Sequence, residues 1–153
     1  MSRSRPSNTQ DTIPADQIER LEFFVEGTPI PQGSKKAFVI RRRAVIVDDN
    51  APKLKPWRLK ITQAAVAALA GRSGFPAQHP VAVLVDFYMP RAVSVKRARP
   101  SVRPDVDKKV RSVLDALTDA GVYADDGQVV ALHALDWYAD DKPGVRIVVR
   151  ELA

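Results

Sequence analysis

Two aspartates one residue apart, Asp105 and Asp107, stand directly before a helical repeat, and a second acidic pair, Asp125 and Asp126, stands directly after it. The stretch from Arg103 to Val130 reads RPDVDKKVRSVLDALTDAGVYADDGQVV. Val106, Val110, Val113, Leu114 and Leu117 fall at i, i+4, i+7, i+8 and i+11, one apolar stripe of period 3.6. Pro104 suits a helix entrance because it has no N–H to leave unsatisfied. Asp105 takes the N-cap position, and Gly121 the C-terminal stop. The spacing predicts a helix from Val106 to Ala120 and then a strand from Gln128 to Trp137. Asp107 and Arg111, four apart, share a helix face. A strand returning beside the helix start brings Asp126 to Asp105 and Asp107. Three converging carboxylates repel one another unless a cation joins them, and a hard cation such as Mg²⁺ takes oxygen ligands. Asp105, Asp107 and Asp126 are therefore candidate metal ligands. Taken singly, each reads equally well as a cap, a surface acid or a turn acid.

The charge distribution names a partner for that cation. The chain has 153 residues and a net charge of +6. Residues 51–100 hold 9 basic side chains and a single acid, Asp86, whereas residues 101–153 hold 7 basic and 10 acidic ones. A basic middle beside an acidic end suggests a phosphate-binding surface next to a metal cleft. An isoelectric point near 9.8 points the same way, to nucleic acid. There is no cysteine, which excludes disulfides, zinc fingers and thiol catalysis and suits a reducing cytoplasm. No apolar run reaches the length of a membrane span, and the first residues lack the apolar core of a secretory signal. The length suits one domain with a real core.

Taken in order, residues 1–18 are polar and aperiodic and read as a disordered arm, with one domain from residue 19 to 153. Leu21 to Val25 is a short strand. The loop GTPIPQGSKK that follows offers Gly33, Ser34, Lys35 and Lys36 to a phosphate, although its spacing is not that of a P-loop. Ala37 to Ile40 and Ala44 to Val47 predict a hairpin tipped by Arg41, Arg42 and Arg43, three adjacent charges that a polyanion would compensate. Leu54 to Leu69 is a helix with Trp57 on its apolar face. Val81 to Met89, VAVLVDFYM, is the strongest strand and predicts the centre of the sheet. Residues 90–103 hold Lys96, Arg97, Arg99 and Arg103 without one acid, and read as a mobile loop that contacts DNA. Lys108 and Lys109 extend that basic set. His79 and His133 read as structural, and Asp86 as a fourth metal-side carboxylate or, preferably, as an acid on the solvent face.

These residues support a resemblance. The segment RPDVDKKVRSVLDAL…VYADDGQVV, with the upstream G-x-P-x-PQGSKK, resembles the RusA family of Holliday junction resolvases. The likeness runs from about Leu21 to Leu152. It implies a small α+β domain, with a mixed or antiparallel sheet and two main helices. It also implies a homodimer that uses Mg²⁺ or Mn²⁺ to nick two opposed strands of a four-way DNA junction in recombination and repair. By the same resemblance Asp105, Asp107 and Asp126 are the catalytic carboxylates, and Arg111 stands where the family has a catalytic lysine. Lys108 departs from the family's asparagine. Arginine keeps the charge but cannot give up a proton, so Lys108 and Lys109 are alternative sources of an ammonium. Three rival readings stay open: a junction-binding protein that does not cut, a metal nuclease for other branched DNA, and a domain whose basic face meets an acidic protein.

Overall fold

The computed structural model of the chain describes residues 17–33, 35–48 and 51–152. The strand Val81–Met89 (β4) is the centre of the structure, as its sequence predicts. It lies inside a four-stranded sheet. In spatial order the strands are Arg20–Glu26 (β1), Gly144–Glu151 (β6), β4, and Val129–Tyr138 (β5). β1 pairs antiparallel to β6, and β6 antiparallel to β4, while β5 runs parallel to β4. A parallel neighbour needs a crossover. Residues 90–105 and the helix Val106–Asp119 (α2) provide it.

The alternation of β4 explains its place. Val81, Val83, Val85, Phe87 and Met89 are all buried on one face, while Leu84, Asp86 and Tyr88 are half-buried on the other. The buried face meets α2 and the helix Ala51–Leu69 (α1) through Ile61, Ala65, Val113 and Leu117. Each such side chain removed from water is worth about 1.5–3 kcal/mol for the larger aliphatics. The two helices also touch each other, where Arg58 donates to Asp119 Oδ2 at 2.9 Å. Trp57 is buried in this core.

Several boundaries differ by a residue or two from the sequence expectation. α2 ends at Asp119, with Ala120 as its C-cap and Gly121 at φ 73°, the left-handed stop that glycine adopts without strain. Gln17 bridges to Ser73 and Ile18 is buried, so these two residues, expected in the arm, pack on the domain. The rest of the expected arm, residues 1–16, lies outside the described residues, as does Ser34.

The hairpin forms as a separate two-stranded sheet of Lys35–Ile40 (β2) and Arg43–Asp48 (β3). Its turn is tighter than expected: Arg43 opens β3, and only Arg41 and Arg42 make the loop, at φ 49° and 65°. Positive φ at both central residues matches the strand twist in a two-residue hairpin, a geometry that glycine or asparagine ordinarily supplies. Arg41, Arg42 and Arg43 are exposed. Lys35 and Lys36 lie on β2, and their side chains fall outside the described set. Among the described residues, no helix is long and apolar enough to cross a membrane.

Candidate active site

The site is built where the crossover begins and ends. α2 starts at Val106 with Asp105 in extended conformation at the N-cap. Its carboxylate makes no capping hydrogen bond, so the N-cap role suggested by sequence is filled in position only. The first turn closes through Lys109 N to Asp105 O at 3.3 Å. Asp107 and Arg111 then face the same side. At the far end of the crossover a single 3₁₀ turn, Asp126–Gln128, leads into β5.

Gln128 fixes that turn. Its Oε1 accepts from Ala124 N at 2.8 Å and Asp125 N at 3.2 Å, while its Nε2 donates to Pro76 O at 2.8 Å and His79 O at 3.0 Å. All four capacities of a buried amide are thereby used. The spacing Asp125-x-x-Gln128 is the pattern that announces this arrangement in sequence. Beneath it, the Tyr123 hydroxyl donates to Leu114 O at 3.0 Å. Burial first, and then the charges of Asp126, Asp115 and Asp125, hold the Tyr123 phenol well above its ordinary ionisation range.

Asp107, Arg111, Asp115 and Asp126 line one cavity of about 440 Å³, floored by Val110 and Leu132. Asp107 lines it from the first turn of α2, and Asp126 from the entrance of β5. Asp105 lies on a second cavity of about 540 Å³, with Arg103, Asp107 and Asp136. Asp107 is common to both. Asp105, Asp107, Asp126 and Arg111 have no side-chain hydrogen bond or ion pair among the described residues. Asp115, not singled out by sequence, is 3.9 Å from Arg58 Nη1.

The donor set suits a hard divalent cation in kind, since it consists of unengaged carboxylate oxygens at the mouth of a cavity. Among the described residues no three acids or histidines are gathered closely enough to cage an ion. Mg²⁺ does not need such a cage, because one or two carboxylates with waters and substrate phosphate commonly hold it. Asp107 and Asp126 line the same cavity.

Two loops flank the start of α2. The loop after β1 docks on α2 through Gln32 N to Lys108 O at 3.0 Å and Ser112 Oγ to Ile30 O at 3.1 Å. The loop between β4 and α2 leans on β5. Arg91 donates to Val95 O at 3.0 Å, and the Arg99 guanidinium lies 3.7 Å from the centre of the Trp137 ring. Lys96, Arg97 and Arg103 are exposed.

One expectation is corrected. Lys109, placed among the DNA-contacting cations, is 1% exposed. Its Nζ sits 2.7 Å from Asp136 Oδ1 and 5.2 Å from the centre of the Phe87 ring. It falls on the apolar stripe of α2, three after Val106 and four before Val113, and the helix turns it inward. Its ammonium is engaged by Asp136. Asp86, preferred as a solvent-facing acid, is half-buried and accepts from Trp137 Nε1 at 2.9 Å, and His79 Nδ1 lies 3.3 Å from Glu151 Oε1.

The sequence profile described as endodeoxyribonuclease RusA matches residues 26–150, nearly the whole described fold. The chain belongs to the RusA family. A similar chain is the uncharacterized protein YqaN of Bacillus subtilis (strain 168), 31% identical over 150 residues, spanning 89% of this chain and 99% of that one. RusA proteins are endodeoxyribonucleases, hydrolases acting on DNA, and in general depend on a divalent metal. The matched span includes Asp105, Asp107, Arg111 and Asp126.

Proposed function

We propose that this chain is a Mg²⁺-dependent, structure-selective endonuclease that resolves Holliday junctions by paired nicks, with Mn²⁺ able to substitute. The observation that carries this reading is the cavity shared by Asp107, Asp126 and Arg111 in a RusA-family chain. Asp107 and Asp126 would hold the cation, with Asp105 contributing from the adjoining cavity. A bound divalent cation supplies Lewis acidity, acidifying water and offsetting charge on a phosphate. Arg111 clamps the scissile phosphate and stabilises the charge that develops there. It stays protonated throughout, so the leaving oxygen takes its proton from solvent. Lys96, Arg97, Arg99 and Arg103 on one side, and Lys35, Lys36, Lys108 and the Arg41–Arg43 tip on the other, hold the DNA backbone.

A homodimer belongs to the same proposal. A four-way junction has two-fold symmetry, and a symmetric pair presents two sites to it. Val130, exposed on the edge strand β5, supports a covered surface there. Sedimentation as a monomer at micromolar concentration would remove this part. The division into an arm before the domain and one endonuclease domain is likewise proposed.

The test is incubation with a labelled synthetic four-way junction and with matched duplex, in Mg²⁺ or in EDTA. Symmetric, ligatable nicks in the junction alone, abolished by EDTA and by Asp105→Asn, are the expected result. Junction binding without nicks in either metal would favour a binding-only protein. Arg111 in place of lysine is the observation behind that second reading, and Arg111→Lys is the variant that would then restore cutting.

A further inference from the structure

We propose that Arg99, stacked on Trp137, forms a platform for one unpaired nucleobase of branched DNA, distinct from the carboxylates that cut. The inference rests on the DNA-processing reading above and adds a base-recognising subsite to it.

Three features of the pair make it a platform. The Arg99 guanidinium lies over the indole, 3.7 Å from the ring centre. The indole cannot swing, because its Nε1 donates to Asp86 Oδ1 at 2.9 Å on the neighbouring strand. The guanidinium is itself anchored by Nη1 to Asp136 O at 3.3 Å. Arg99 is nonetheless exposed, and among the described residues no second ring covers its guanidinium. A flat, fixed, solvent-facing cationic plane is what a splayed-out base stacks upon.

Position supplies the rest. Successive strand residues point to opposite faces. Asp136 points toward α2 and Lys109, and Trp137 points to the other face, toward Asp86. Asp136 also lines the cavity of Asp105 and Asp107. The platform therefore lies on the opposite face of the edge strand β5 from Asp136, whose own face lines the cavity of Asp105 and Asp107. A DNA strand crossing that edge places a phosphodiester at the acids and an adjoining base over Arg99. Lys96, Arg97 and Arg103, from the same loop, are exposed for the flanking phosphates. Arg91, 5.4 Å from the Tyr138 ring centre, braces the loop from its other end.

The experiment separates a base from a phosphate. In EDTA, full-length protein is titrated with a duplex carrying a two-thymidine gap and with the same duplex whose gap is two abasic residues. These probes differ in bases and not in charge. The wild type should bind the thymidine gap about fivefold or more tightly than the abasic one. Arg99→Lys keeps the charge and loses the plane, and Trp137→Leu keeps bulk and loses the ring; in both, the ratio of thymidine-gap to abasic affinity should fall to about 1, whatever the change in absolute affinity. Trp137→Tyr, which restores a ring, should retain most of it. Equal wild-type affinities, or a preference that survives Arg99→Lys and Trp137→Leu, would overturn the platform. A four-way junction titrated in parallel tells the two failures apart. Junction binding without base preference removes the platform alone, whereas absence of any DNA binding removes the DNA reading and the platform with it.

Discussion

Lys109 Nζ and Asp136 Oδ1 stand 2.7 Å apart, with the lysine side chain 1% and the aspartate side chain 18% exposed. The pair ties the first turn of α2, which carries Asp105 and Asp107, to β5, which follows from Asp126. An apolar partner of similar shape is generally no worse for stability than a buried ion pair, whereas losing one member strands the other charge. Lys109→Met should therefore cost about 3 kcal/mol in urea unfolding. Adding Asp136→Leu to Lys109→Met should recover most of that loss. A single-variant cost below about 1 kcal/mol would mean that solvent screens the pair after all.

Metal should be visible without catalysis. Asp105, Asp107 and Asp126 have no cationic partner among the described residues, so an ion that joins them stabilises the folded chain by mass action. At a Mg²⁺ concentration about a hundredfold above its dissociation constant, Tm should rise by about 5 °C. Asp107→Asn, which removes the carboxylate common to both cavities, should remove most of that rise. Thermal scans with Mg²⁺ and with EDTA read this directly, and an unchanged Tm would count against the site.

Salt should distinguish surface cations from the interior one. Arg103 is exposed at the rim of the Asp105 cavity. Arg103→Ala should lower the slope of log affinity against log salt by about 1, as expected when the protein neutralises one phosphate fewer. Lys109→Met should leave that slope unchanged. Fluorescence anisotropy on junction DNA at a series of salt concentrations measures both.

The alkaline limit of stability should pass through Tyr123. Its phenol is neutral in the folded chain well past the pH at which an unfolded tyrosine ionises, near 10. Above that pH the unfolded chain releases a proton that the folded chain keeps, so stability falls as pH rises, by at most about 1.4 kcal/mol per unit from this group. Below it the contribution is complete. Tyr123→Phe should flatten the decline between about pH 10 and 11 in urea midpoints, and an equally steep decline in the variant would assign it elsewhere.

Much of the fold is legible in local pattern. The β-branched run Val81–Met89 announces the central strand, the stripe from Val106 to Leu117 announces α2, and the acid pairs at its two ends mark the cavity. Lys109 reads as a surface cation when taken with its neighbour Lys108, though its spacing from Val106 and Val113 already places it on the buried stripe. Asp136 and Trp137 are hidden for another reason. Their significance depends on the parallel register that sets Asp136 opposite Phe87 and Trp137 opposite Tyr88. No short-range pattern in HALDWY discloses which strand it will lie beside.

The parallel pairing of β4 with β5 has a consequence for descent. Every acid of the two cavities, Arg103 and Arg111 beside them, and both members of the Arg99–Trp137 stack fall between the start of β4 and the end of β5, one strand–helix–strand segment. The chemistry is thus carried as a contiguous cassette. The Arg41–Arg42 hairpin, a separate two-stranded sheet, lies outside that segment and can change in length without separating any of its parts.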